Sequence, residues 1–179
     1  MHHTRYRPLG LAASLCTILA FAACSGSTPA AKTPAAPVAQ VAPIAKAGPV
    51  LGVDHVGLTV SDLEASRDFF VKTLGFEVVG GVESYPSVFL SNGQMRLTLW
   101  RAEDPTSATP FDRKANIGLH HLAIGVSSFE ALDTLYEAVR DYPGVTMEFA
   151  PELNSGGPAK HTIFYEPSGN RIELVHRPN

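Results

Sequence analysis

The chain has 179 residues, with fourteen lysines and arginines, seventeen aspartates and glutamates, and two cysteines. Residues 1–50 hold four of the basic residues and none of the acidic ones, so residues 51–179 carry a formal charge of −7. We do not expect such a domain to bind nucleic acid, because the phosphate backbone repels an acidic surface. The part after residue 50 is long enough for one domain with a core of its own.

Residues 1–23 have the pattern of a signal peptide. Arg5 and Arg7 precede an apolar run that is too short to be a permanent membrane span. The run ends in Phe-Ala-Ala-Cys-Ser, which resembles the bacterial lipobox, so Cys24 is the expected lipidation site. An ordinary secretory peptide that leaves Cys24 as a spare thiol is the alternative. We expect an exported lipoprotein that faces the periplasm at the outer membrane and meets the membrane through its lipid only.

Residues 24–50 would then be the lipidated cysteine and a linker. The segment is rich in alanine and proline and has no aromatic or acidic residue, so it cannot bury enough surface to fold. We expect the folded domain to comprise residues 51–179. Both cysteines, Cys16 and Cys24, precede that domain, so no disulfide stabilises it.

The domain contains an internal repeat. Residues 53–60 match residues 119–126 at an offset of 66, and both segments alternate apolar residues as strands do. Residues 89–99 match residues 164–174 at an offset of 75, in two strands around a turn that contains glycine. The two offsets differ by nine, which implies a nine-residue insertion in the second copy. We place this insertion in the loop before Thr162.

An amphipathic helix follows the first strand of each copy. Residues 61–64 and 127–130 both read as capping boxes, with Ser61 and Ser127 as the predicted N-caps. The helices should end near Gly75 and near Pro143-Gly144. The sequence therefore predicts two βαβββ modules, residues 51–103 and residues 117–177.

The alternation of side chains along the strands brings three polar residues to one face. In the first strand His55 lies opposite the apolar face that must meet the helix, and His121 has the same place in the second copy. Glu173 lies on that face of the last strand. Two imidazoles and one carboxylate would leave coordination positions open on a bound metal. This ligand set suits Fe(II) and is compatible with Mn, Ni or Zn. A chance arrangement of two strand histidines is the alternative.

These residues resemble the vicinal oxygen chelate superfamily, which includes glyoxalases, extradiol dioxygenases, fosfomycin-modifying transferases, epimerases and metal-free bleomycin-binding proteins. The resemblance covers residues 51–177. It implies a curved mixed sheet of two βαβββ modules, a divalent metal on His55, His121 and Glu173, a small-molecule substrate and a homodimer. Its motifs are Asp-His-Val-Gly-Leu at 54–58, Leu-Gly-Phe at 74–76, Leu-His-His-Leu-Ala at 119–123 and Pro-Ser-Gly-Asn-Arg-Ile-Glu-Leu at 167–174.

Thr98 departs from the family pattern. Glyoxalase I and the epimerases usually have a glutamate there, and threonine cannot act as a general base near neutral pH. Arg96 and Trp100 share its face and are candidates for contacting an anionic or aromatic substrate. A salt-bridged arginine and a core tryptophan explain them equally well.

His161 and Tyr165 are candidate catalytic residues. They lie where the ring-cleaving dioxygenases carry an acid/base histidine and a tyrosine, although the spacing here is shorter. A surface loop is the alternative for His161. The sequence thus predicts a metal-dependent enzyme for a small oxygenated substrate, either dioxygenase-like or glyoxalase/lyase-like. There are two alternative functions. The protein could be a lipoprotein that binds a small molecule or an antibiotic, or a scaffold without turnover.

Overall fold

The computed structural model describes residues 48–178, and the order of its elements is βαβββ twice. This order confirms the predicted fold class. The predicted signal peptide and Cys24 lie outside the described residues, as does most of the linker. Within residues 48–178 no helix is long and apolar enough to span a membrane. Module one comprises β1 (His55–Val60), α1 (Leu63–Leu74), β2 (Glu77–Val82), β3 (Ser87–Ser91) and β4 (Arg96–Arg101); module two comprises β5 (Leu122–Gly125), α2 (Phe129–Arg140), β6 (Thr146–Leu153), β7 (Lys160–Tyr165) and β8 (Arg171–His176).

Each module forms its own four-stranded mixed sheet. The strand orders are β1-β4-β3-β2 and β5-β8-β7-β6. The first strand of each module pairs in parallel with the last, and the other pairs are antiparallel. The two sheets therefore have the same topology, as the internal repeat predicts.

The strand register shows which residues of the two modules are equivalent. Gly57 pairs with Thr98 in module one, and Ala123 pairs with Glu173 in module two. Thr98 thus occupies the position of Glu173, and the offsets of 66 and 75 hold for the first and last strands.

The third strand of each module corrects part of the repeat alignment. Phe89 pairs with Thr98, whereas Ile163 pairs with Glu173. Phe89 is therefore equivalent to Ile163, and its match with Phe164 was wrong by one residue. The physical reason is that the turn from β7 to β8 is one residue longer than the turn from β3 to β4. One residue of the predicted insertion consequently lies in that turn.

The helix N-caps also differ by one residue from the prediction. Asp62 caps α1 by accepting a hydrogen bond from the Ala65 amide, and Ser128 caps α2 by accepting one from the Ala131 amide. Both caps have extended backbones, so the chain turns into the helix one residue later than a cap at Ser61 or Ser127 requires. The C-terminus of α1 is as predicted, with Gly75 in the left-handed region at φ +69°.

The two modules share one hydrophobic core through helix α1. Phe69 is fully buried, and its ring lies 5.2 Å from that of Tyr142 and 5.6 Å from that of Phe164, both in module two. Phe70 on the same helix packs against Phe76 of module one. Helix α1 therefore contributes to one core with residues of both modules.

A buried carboxylate joins the modules beside this core. Glu166, in the turn before β8, is 1 % exposed. It accepts hydrogen bonds from the Ser66 hydroxyl of α1 at 2.7 Å, from the Ser168 amide, and from both the backbone and the side chain of Asn170. The Asn170 side chain also donates to the Thr59 carbonyl of β1. A buried charge is tolerated only with such partners, and these ones hold the turn against α1 and β1.

We predict that Glu166→Ala lowers the free energy of unfolding by roughly 2–4 kcal/mol, because it leaves several buried donors without an acceptor. Urea denaturation followed by circular dichroism measures the change. Glu103→Ala, at an exposed position, is the control and should change stability by less than about 0.5 kcal/mol. Equal effects of the two substitutions would contradict a joining role for Glu166.

Candidate active site

The polar residues of interest lie on the concave face of module two, which is the face turned away from the helices. Strands β7 and β8 place Ile163 opposite Glu173, and Tyr165 opposite Arg171. His161 shares this face because it lies two residues before Ile163. His121 directly precedes β5, the strand that pairs with β8 on its other side.

Glu173 is held between two imidazoles. Its Oε2 lies 3.0 Å from His121 Nε2, and its Oε1 lies 2.6 Å from His161 Nδ1. Its side chain is 9 % exposed, so the carboxylate has little access to water. His161 lies on strand β7 and His121 directly precedes β5, and both contact this carboxylate.

His161 and Glu173 form a carboxylate–histidine pair. The 2.6 Å contact favours the tautomer with hydrogen on Nδ1, which leaves Nε2 as a proton acceptor. The ring is further held by edge-on packing against Phe149, with 5.1 Å between ring centroids. The His161 side chain is 14 % exposed, so part of it is in contact with solvent.

The predicted metal ligands do not all meet within one chain. His55 is half exposed, and its Nδ1 lies 2.7 Å from Asp54 Oδ1, a contact that lowers the pKa of Asp54. Among residues 48–178 no three histidine, cysteine, aspartate or glutamate side chains converge closely enough to hold an ion. His121 and Glu173 are in contact, but His55 does not join them, so the three-ligand set does not fit a single chain.

The concave face of module one is aromatic instead. Thr98 accepts a hydrogen bond of 2.9 Å from the Trp100 indole, whose ring lies 4.9 Å from that of Tyr85 and 5.8 Å from that of Phe89. A Cβ on Gly57 would lie 3.2 Å from the Thr98 hydroxyl, so glycine makes room for this pair. Of the predicted pocket residues, Thr98 and Trp100 are therefore in contact. The third, Arg96, is exposed at the start of β4.

A second polar network lies beside Glu173 and was missed from the sequence. Arg171 donates two hydrogen bonds, of 2.8 and 3.0 Å, to the Glu148 carboxylate. Tyr165 also donates to Glu148, and Arg113 donates to both Tyr165 and Glu148. Tyr165 thus belongs to this network, and no hydrogen bond joins it to His161. No sequence pattern identifies Arg113, because it comes from the irregular segment between the modules.

A cavity of about 470 Å³ adjoins strand β8 at Arg171. It lies between the edge of β1, the segment that connects the modules, and the turn before β8. Arg171 contributes to its wall and lies two residues before Glu173 on one face of β8. The volume suits a small-molecule ligand. Its apolar lining includes Pro105, Pro110, Phe111 and Ile117.

The ion pair between Glu148 and Arg171 predicts a pH-dependent contribution to stability. The hydrogen bonds from Arg171 hold the pKa of Glu148 below its ordinary value of 4.5. A lowered folded-state pKa stabilises the protein above the unfolded-state pKa, and this stabilisation is lost as pH falls through the folded-state pKa. We expect Glu148→Gln to reduce the free energy of unfolding by about 1–2 kcal/mol at pH 7, with a smaller difference from wild type at pH 3.

Urea unfolding of both proteins at the two pH values measures this difference. Glu152→Gln, at an exposed position on the same strand β6, is the matched control and should show no such pH dependence. A Glu148→Gln effect that stays constant from pH 7 to pH 3 would rule out the charged pair as its cause.

Comparison with known proteins identifies the family. The model of the glyoxalase/bleomycin resistance protein/dioxygenase superfamily matches residues 52–174. The chain therefore belongs to this superfamily, as the sequence motifs indicated.

Two curated relatives are epimerases. The chain is 27 % identical to 2-epi-5-epi-valiolone epimerase of Actinomyces sp. over 150 residues, which cover 72 % of this chain and 80 % of that one. It is 31 % identical to the mitochondrial methylmalonyl-CoA epimerase of Bos taurus over 173 residues, which cover 87 % and 95 %.

Solved structures support the fold alone. A glyoxylase/bleomycin resistance protein/dioxygenase domain from Frankia sp. EAN1pec matches with a TM-score of 0.62 and 22 % identity, and covers 73 % of this chain and 94 % of its own. The fosfomycin resistance protein FosX of Listeria monocytogenes matches with a TM-score of 0.57 and 19 % identity, and covers 72 % and 95 %.

Proposed function

We propose that the protein is an enzyme that moves a proton on a small oxygenated molecule, in an isomerase- or lyase-type reaction on the concave face of module two. The observation that carries this proposal is the 2.6 Å contact between His161 and the buried Glu173. Both reaction types expected from the sequence act on oxygenated substrates, and the two epimerase relatives favour proton transfer over oxygen chemistry.

His161 would be the group that takes and returns the proton. Imidazole is a base that operates near neutral pH, and Glu173 fixes its tautomer and stabilises the imidazolium that forms. Nε2 would remove a proton from a carbon next to a carbonyl group. The electron pair of the C–H bond then moves into the carbonyl, giving an enolate. Water gives a proton to the opposite face of that carbon, which forms the epimer, and the imidazolium of His161 returns its proton to the hydroxide that is left.

The neighbouring cavity would bind the rest of the substrate. Arg171 contributes to the cavity wall, and it shares the Glu148 carboxylate with Arg113. A substrate with a carboxylate or phosphate group would find a partner there. The predicted divalent metal, whether Fe, Mn, Ni or Zn, remains part of the proposal. His121 and Glu173, which are in contact, are the residues of one chain that would hold it.

The location of the enzyme is also proposed. The pattern of residues 1–24 supports export and lipid attachment at Cys24. An exported enzyme would meet extracytoplasmic compounds, which makes a sugar-derived ketone a more accessible substrate than a coenzyme A thioester.

Binding without turnover is the second candidate function. The aromatic side chains of Tyr85, Phe89 and Trp100 favour it, because their rings lie together on module one. Such a surface would bind a planar or apolar molecule.

Deuterium exchange tests the proposal without knowledge of the final product. The protein is incubated in D₂O with carbonyl compounds that have an adjacent C–H, including 2-epi-5-epi-valiolone and methylmalonyl-CoA, and NMR follows the loss of that proton. We expect exchange with at least one compound. His161→Asn should lower the rate about 10²–10⁴-fold, because a general base contributes that much.

The asparagine is chosen because its amide can still donate to Glu173 in place of Nδ1, while it has no base at the Nε2 position. His176→Asn, at the end of the same sheet, is the control and should keep the wild-type rate. Binding of a compound without exchange would favour the second function. Equal exchange by His161→Asn and wild type would refute the role of His161.

A further inference from the structure

The concave face of module one carries a cation, a hydroxyl group and an aromatic ring in a line along one strand. Arg96, Thr98 and Trp100 alternate with the core residues Leu97 and Leu99 on β4, so their side chains lie on the face turned away from the core. Successive residues on one face of a strand are about 7 Å apart. The proton transfer proposed for module two uses none of these three side chains.

Arg96 is available to a ligand. Its side chain is exposed, and within residues 48–178 it makes no hydrogen bond and no ion pair. The carboxylate of Asp54 contacts the ring of His55 instead, at 2.7 Å. The salt bridge that would explain Arg96 without a ligand is therefore not found in the described part of the chain.

The Thr98 hydroxyl group is able to donate a hydrogen bond. It accepts one from the Trp100 indole at 2.9 Å, and its own hydrogen has no acceptor among the described residues. A Cβ at Gly57 would lie 3.2 Å from the Thr98 oxygen. Glycine on the neighbouring strand β1 therefore leaves space beside this hydroxyl group.

Three aromatic rings lie together beyond Thr98. The Trp100 ring is 4.9 Å from the Tyr85 ring and 5.8 Å from the Phe89 ring. Among the described residues, the hydrophobic core and the side chains packed against it include none of the three. Tyr85 is 59 % exposed, and Phe89 and Trp100 are half-buried. Core packing consequently does not explain this cluster, whereas stacking with the ring of a ligand would.

We propose that this face binds a planar aromatic carboxylate. Its carboxylate would accept hydrogen bonds from Arg96 and Thr98, and its ring would pack against Trp100 and the adjoining rings. The order of cation, hydroxyl group and ring along β4 matches the order of the groups in such a ligand. This inference rests on the second candidate function, binding on module one, and is independent of proton transfer by His161.

Trp100 is a direct reporter of binding, because it is the only tryptophan in the chain. Its indole N–H gives a single proton–nitrogen NMR signal, which is followed in the isotope-labelled full-length protein during titration with benzoate. Benzamide, which lacks the charge, and cyclohexanecarboxylate, which lacks the aromatic ring, are the matched ligands. We expect benzoate to shift the indole signal and to bind about 3–10-fold more tightly than either of them.

Two variants at exposed positions separate the charge from the rings. Arg96→Gln should weaken benzoate binding about 3–10-fold and leave benzamide binding unchanged, because it removes a charge-assisted hydrogen bond only. Tyr85→Ala should weaken the binding of both compounds about 2–10-fold, because it removes part of the stacking surface. Arg140→Gln, exposed on helix α2, is the matched control and should bind both compounds as wild type does.

An indole signal that benzoate leaves unchanged at millimolar concentrations would overturn the site. Equal benzoate affinity of wild type and Arg96→Gln, or of wild type and Tyr85→Ala, would also overturn it. His161→Asn should bind benzoate as wild type does, and a loss of binding in that variant would place the ligand on module two. Deuterium exchange depends on His161 and this titration does not, so the failure of either proposal leaves the other standing.

Discussion

The position of helix α1 is the constraint on which the rest of the structure depends. Phe69 packs against Tyr142 and Phe164 of the other module, and Glu166 is bound by Ser66 of the same helix. These contacts fix the modules with their apolar sides together. Thr98 and Glu173 alternate with core residues on β4 and β8, so they lie on the faces of the two sheets that are turned away from the core.

The faces that carry Thr98 in module one and Glu173 in module two have diverged, although the strands of the two modules pair in the same register. The pair of Gly57 with Thr98 is equivalent to the pair of Ala123 with Glu173, yet the first face holds a tryptophan and the second a carboxylate between two imidazoles. A duplicated module can thus supply an apolar binding surface in one copy and acid–base groups in the other. Turnover needs the second kind of face, and recognition can use both.

Most of the fold could be predicted from the sequence because its causes are local. Period-two alternation placed His121 and Glu173 on one face, where the structure has them in contact. The N-caps were predicted one residue early because adjacent residues such as Ser61 and Asp62 can both cap a helix, and backbone angles decide between them. The separation of His55 from Glu173 depends on how Phe69 meets Phe164, a contact between distant residues that no local pattern encodes. Arg113 was missed for the same reason.

The most direct test of this account is a crystal structure of the Mn- or Zn-loaded protein, with the ion located by its anomalous scattering. We expect Phe69 to contact Phe164 and His161 to contact Glu173 within one chain. An ion bound by His55, His121 and Glu173 of the same chain would contradict it, because the modules would then have to pack differently.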